Sequence, residues 1–193
     1  MKEIQTQTKF GLVVAALVIC LGALLVTGCK KDAPQSTLSG TVASATCVIV
    51  PTEGNSCKGI VTFENTPVGV RIVADIEGLT ANQKHGFHIH QFGDVSGLDG
   101  KSAGGHYDPQ DTKNHSTAGD EKGHAGDLGN LEADGDGKAH HDATIKGISV
   151  ADDKNPIIGR AIIIHAQPDD FGQPTGNAGA RIGYGVIGVR NSN

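Results

Sequence analysis

The chain has 193 residues, among them 28 Gly, no Trp, 5 Phe and 2 Tyr, and its formal net charge is −5. That length favours one domain with a short extension, and so much glycine works against long helices, because glycine gives up much backbone freedom on ordering. An acidic chain poor in aromatic residues lacks both the basic face and the stacking rings of a nucleic-acid binder.

The N-terminus reads as an address rather than as fold. Lys2 and Lys9 precede a stretch, residues 10–29, without a charged residue, and residues 11–26 are nearly all apolar. A basic flank, an apolar run and small residues before a cysteine are the layout of a secretory signal. Val26-Thr27-Gly28-Cys29 resembles a bacterial lipobox, which makes residues 1–28 a signal peptide of the lipoprotein type and Cys29 the acylated residue. The other reading is an uncleaved membrane helix, since the run is near the lower length limit for a span. Residues 29–37 form a polar tether too short to fold alone, and residues 38–193 form the domain. The expected location is extracytoplasmic, on the periplasmic side or the cell surface, with a membrane partner reached through Cys29. Loss of residues 1–28 leaves a formal charge of −6.

The predicted strands are short. Residues 37–50 are rich in Thr and Val. Cys47 and Cys57 then flank a turn-rich stretch with Pro51, Gly54 and Asn55, between two strand-like runs. In an oxidising compartment a disulfide across this hairpin is the expectation, with two unpaired thiols as the alternative. Val70, Ile72, Ala74 and Ile76 alternate mostly with polar neighbours, the period of a half-buried strand. Residues 86–91, 143–150, 157–165 and 185–190 complete the set. No segment sustains a 3.6-residue period with caps. Many short strands with Gly- and Asn-rich turns predict an all-β antiparallel sandwich or barrel. Residues 92–130 and 167–180 interrupt it with Gly, Asp and His. A loop as long as the first is functional or disordered, and metal binding would order it.

Nine histidines stand at 85, 88, 90, 106, 115, 124, 140, 141 and 165. His88-Ile89-His90 lies in a strand-like run, where positions i and i+2 share a face. Two imidazoles there can chelate one ion while Phe87 and Ile89 face the core. Taken alone, the spacing fits two surface histidines equally well.

Context decides. Gly86-Phe87-His88-Ile89-His90-Gln91-Phe92-Gly93-Asp94 resembles the first signature of the copper/zinc superoxide dismutases, and other segments follow in family order. Gly104-Gly105-His106-Tyr107-Asp108-Pro109 resembles the bridging-histidine segment. His115 with Gly123-His124-Ala125-Gly126-Asp127 resembles the zinc loop. Ile163-Ile164-His165-Ala166 resembles the strand of the fourth copper ligand. Thr175-Gly176-Asn177-Ala178-Gly179-Ala180-Arg181 resembles the second signature. The resemblance covers residues 41–190.

It implies an antiparallel Greek-key β-sandwich or flattened barrel, of immunoglobulin-like architecture, with long metal-binding loops. It implies copper held by His88, His90, His106 and His165, and zinc held by His106, His115, His124 and Asp127, with His106 shared. Both donor sets suit their metals. Asp169 would accept N–H bonds from His88 and His115, and Arg181 would attract the anionic substrate, superoxide. His106 would also relay a proton to the peroxide. His85 resembles a structural histidine that bonds to backbone, whereas His140 and His141 match no ligand and read as exposed. Two departures stand out. The family's usual disulfide positions hold Gly100 and Tyr184, and the loop 171–175 is short and uncharged, so steering would fall to Arg181 with Lys101, Lys113 or Lys122. The stretch 185–189 resembles the pairing segment of dimeric relatives, which implies a homodimer. The competing function is a copper/zinc-binding module that buffers or delivers metal without turnover.

Overall fold

The computed structural model describes residues 42–152 and 154–191. The expected signal peptide, the whole of the expected tether with Cys29, and residues 38–41 lie outside these residues. The described chain is all β: β1 Ser44–Pro51, β2 Lys58–Thr66, β3 Gly69–Glu77, β4 Lys84–His90, β5 Asp127–Glu132, β6 Ala139–Ile145, β7 Ala161–His165, β8 Arg181–Val186 and β9 Gly188–Val189, with one 3-10 turn at Lys101–Ala103. The order across the sheet is β5-β4-β7-β8-β1-β2-β3-β6, with β9 pairing β1. Every paired strand is antiparallel. The chain crosses between the halves after β3, after β5 and after β6, so β4, β5, β7 and β8 form one half of a nearly closed barrel and β1, β2, β3 and β6 the other.

The two halves have different burial patterns, and the difference positions the site. In β3, Val70, Ile72, Ala74 and Ile76 are buried while Arg71, Asp75 and Glu77 are exposed. One face of that half meets water, as the alternation requires. In β4 every residue from His85 to His90 is buried, and all of β7 is buried. Phe87, Ile89, Ile162 and Ile164 turn into the main core with Phe63 and Ile72. Each such side chain, fully buried, contributes roughly 1.5–3 kcal/mol. The opposite faces of β4 and β7 carry His88, His90 and His165, and these are buried too, because the long loops lie over them.

Three expectations need correction. The loop expected over 92–130 ends early, because Asp127–Glu132 pairs with β4. The strand expected over 143–150 lies at Ala139–Ile145, opposite β3. It takes in His140 and His141. His140 is exposed, but His141 is half-buried and meets the Phe87 ring edge-on at 5.8 Å. The third concerns the cysteines. Cys47 and Cys57 are both buried and unbonded. Cys47 sits opposite Val61, and Ile49 opposite Gly59. Extending that register puts Cys57 level with Pro51, four residues along the strand from Cys47. At about 3.3 Å per residue that offset is roughly twice the separation a disulfide spans. Burial pushes both thiols up to about 12, so they behave as small apolar side chains.

Candidate metal centre

β4 builds the first wall of the site. Its two-residue period sends His88 and His90 to one face, and a register shift against β5 between Gly86 and His88 re-aims the strand there. β7 lies beside β4 and supplies His165, next to a second register shift against β8. His106 joins through an isolated bridge to His90. The loop before β5 then carries His115 and His124, and Asp127 is the first residue of β5.

These residues form two clusters that share one ring. Ligand atoms of His88, His90, His106 and His165 lie within 4.8 Å of one another, and so do those of His106, His115, His124 and Asp127. All seven residues are buried. The His88 and His106 rings approach to 4.1 Å between centroids.

Hydrogen bonds fix the free nitrogens. His88 Nε2 donates to Asp169 Oδ2 at 2.9 Å, His90 Nδ1 to the Gly104 carbonyl at 2.9 Å, and His165 Nδ1 to the Gly179 carbonyl at 3.1 Å. Those partners only accept, so each proton sits on that nitrogen and the other carries a lone pair. The remaining nitrogens, His88 Nδ1, His90 Nε2 and His165 Nε2, are buried without any partner. Three orphaned, converging lone pairs are costly, and a cation that accepts imidazole nitrogen relieves that cost. In the second cluster the Nδ1 atoms of His106, His115 and His124 stand 2.8, 2.9 and 3.1 Å from Asp127 Oδ1. Three nitrogens and one carboxylate oxygen are a zinc-type donor set. With its Nδ1 in the second cluster, His106 offers Nε2 to the first.

Burial pulls the first cluster towards neutrality. His165 falls to about 3 and His106 to about 4, and His88 and His90 are also lowered. Burial opposes charge on Asp127 as well, but hydrogen bonds from His106 and His115 outweigh it and hold that carboxyl well below the usual range. At His115 burial is outweighed by Asp127 and Asp169, which push it up to about 9.

Asp169 spans both clusters. It accepts from His88 Nε2 and, at 2.9 Å, from His115 Nε2. Asn130 brackets its main chain, with Asp169 N–H donating to Asn130 Oδ1 at 2.8 Å and Asn130 Nδ2 donating to the Asp169 carbonyl at 2.9 Å. Gly176 adopts φ +75, and a Cβ there would collide with Asp169 Oδ1. This is one position where glycine is required.

Arg181 opens β8 beside His165. Its two terminal nitrogens donate to the carbonyls of Gly100 and Gly104, each at 2.6 Å. The Gly104 carbonyl also receives His90 Nδ1, so one peptide group ties the guanidinium to a ring of the first cluster. No covalent bridge joins Gly100 to Tyr184. Instead Tyr184 packs with Ala103, Ala161 and Ile163 against Val95 and so pins the loop by apolar contact. His85 is buried and donates from Nδ1 to the His165 carbonyl at 2.8 Å. Lys101 and Lys113 pair with Asp99 and Asp111 at 2.8 and 3.4 Å, which cancels most of the steering charge expected of them.

Every residue expected as a metal ligand falls in one of the two clusters. Residue spacing alone gave no hint of Asn130 or of Gln173, whose bonds go to main-chain atoms.

Comparison with known proteins agrees with this geometry. Residues 57–187 match the family model described as copper/zinc superoxide dismutase. A superoxide dismutase [Cu-Zn] of Onchocerca volvulus is 38% identical over 157 residues, which is 75% of this chain and 97% of that protein. Among solved structures, a double mutant of a SOD-like protein from Bacillus subtilis superposes with a TM-score of 0.67 at 34% identity, covering 76% of this chain and 99% of that one. With an all-β barrel, two buried donor sets sharing one ring, and a family match across most of its length, the chain belongs to the copper/zinc superoxide dismutase family.

Proposed function

We propose that His88, His90, His106 and His165 hold the copper and that His106, His115, His124 and Asp127 hold the zinc with which this enzyme disproportionates superoxide to dioxygen and hydrogen peroxide. The shared position of His106 between two buried donor sets carries the reading. When bound, copper would supply the one-electron exchange with superoxide, and zinc would supply a fixed positive charge to the set that includes His106.

The protein's own groups do the rest. His106 Nε2 faces the first cluster and is the atom that takes up a proton and returns it to the departing peroxide. Asp169 holds the rings of His88 and His115 in orientation through their Nε2 protons. Arg181 places a guanidinium beside the copper set, where it draws in the anion and hydrogen-bonds it. With Lys101 and Lys113 paired to neighbouring carboxylates, this local field opposes the acidic charge of the whole chain.

Two further proposals concern location and assembly. Cys29 carries a lipid that holds the enzyme on the extracytoplasmic side of a membrane. Support comes from the charge-free run before it and the small residues at 27 and 28. Cys29→Ser is expected to move the protein from the membrane fraction to the soluble fraction, and unchanged fractionation would remove the anchor. The exposed Val186 and Val189, with Val48, Val50 and Ile60, support pairing of two copies through the outer face of β8, β9, β1 and β2. Native mass spectrometry tests metals and assembly together. The expected species is a dimer with one copper and one zinc per chain. A chain that takes up only one ion would end the two-metal assignment, and a monomer at micromolar concentration would end the pairing.

A further inference from the structure

We infer that Gln173 is a positioning residue for the zinc side of the centre, acting through the main chain of His115. The segment around His115 lies between the bridging-histidine segment and β5 and contains no helix or strand. With no ladder of its own, it is held by turns and side-chain bonds within the segment and by bonds from other parts of the chain. Gln173 supplies two of them with one side chain. His115 N–H donates to Gln173 Oε1 at 2.9 Å, and Gln173 Nε2 donates to the His115 carbonyl at 2.8 Å. A planar amide that answers both polar groups of one residue fixes where that residue's Cα sits and how its peptide groups turn.

The same short loop touches His115 twice more. Asp169 accepts from the ring at Nε2, and Phe171 lies nearly parallel to the ring, at 17° and 6.3 Å between centroids. Phe171 N–H in turn donates to Asp169 Oδ1 at 2.8 Å. One loop thus holds the ring's far nitrogen, one ring face and both main-chain groups of His115. The nitrogen left over, Nδ1, points at Asp127. The pairing between Asn130 and the main chain of Asp169 has the same form, so two amide brackets in series tie the loop to the zinc set. No comparable bond runs from Gln173 to His88, His90 or His165. They are held by Asp169, Gly104 and Gly179. The short, uncharged sequence of residues 171–175 then has a role other than steering: it serves as a brace.

The proposal rests on His115 being a zinc ligand, and the test separates the two claims. Gln173→Ala removes the amide, and Gln173→Met keeps its length and volume without the hydrogen bonds. Both variants are purified with their metals, and zinc and copper release to a chelator are timed separately. Amide hydrogen exchange at residue 115 is followed in the metal-free protein. Losing two bonds of ordinary strength predicts zinc release roughly tenfold faster, with copper release unchanged, and exchange at residue 115 faster by a similar factor. Parental zinc release in both variants would overturn the proposal, as would equal acceleration for both metals, which signals general loosening. Wild-type behaviour in Gln173→Met alone would assign the effect to packing and would also overturn it. If the parent holds no zinc, the ligand assignment fails, while exchange at residue 115 still reports on the bracket.

Discussion

His106→Ala is expected to abolish dismutase activity and to weaken both metal sites at once. His106 contributes Nδ1 to one cluster and Nε2 to the other, and its ring lies 4.1 Å from that of His88 and 5.2 Å from that of His115. Losing a positioned proton donor alone costs roughly 10²–10⁴-fold in rate. Losing a donor from the copper set adds to that, so residual activity should match buffer. The informative contrast is His165→Ala. That change removes one nitrogen from the copper set only and leaves Asp127 with all three of its histidines. Zinc should stay bound there, copper should be lost, and activity should again disappear. Metal content after dialysis and an activity assay on the two variants distinguish the cases. Zinc held at parental affinity in His106→Ala would show that the ring is not shared, and measurable turnover in either variant would remove that residue from the reaction.

Much of this centre was legible in the sequence because its first cluster follows strand period. His88 and His90 flank Ile89, and the pleat alone puts both rings on one face. The edges of the reading failed where tertiary pairing overrides local preference. Asp127-Leu128-Gly129-Asn130 lacks β-branched residues, yet it is a strand, since β4 offers it an unpaired edge. Ala139-His140-His141-Asp142 likewise becomes strand through pairing with β3. The cysteines were misread because spacing along the chain does not give register, and register decides whether two thiols can meet. The roles of Asn130 and Gln173 had no sequence signature. Both act on main-chain atoms, which every residue possesses, so no residue type at the far end marks the contact.

Removing both metals is expected to lower the midpoint of thermal unfolding by tens of degrees and to make it depend on pH from both sides. A ligand held a thousandfold above its dissociation constant stabilises by roughly 4 kcal/mol. Two such ions, at roughly 2–4 °C per kcal/mol for a domain of this size, correspond to about 15–30 °C. What remains depends on pH by linkage. The folded state lowers His165 to about 3 and His106 to about 4, from an ordinary value of 6.5. Their contribution is complete above 6.5 and is lost as pH falls towards those values. His115 has the opposite sign: it is raised to about 9, so its contribution is complete below 6.5 and is lost as pH rises through 9. The metal-free domain should therefore be most stable near neutrality and weaken in both directions. In the loaded protein the zinc proposed for this set would take the place of the proton on His115 Nδ1, and the alkaline limb should vanish. Thermal scans of both forms from about pH 4 to 9 read this directly. A metal-free midpoint that rises steadily across the alkaline range would show that His115 is not held charged between Asp127 and Asp169.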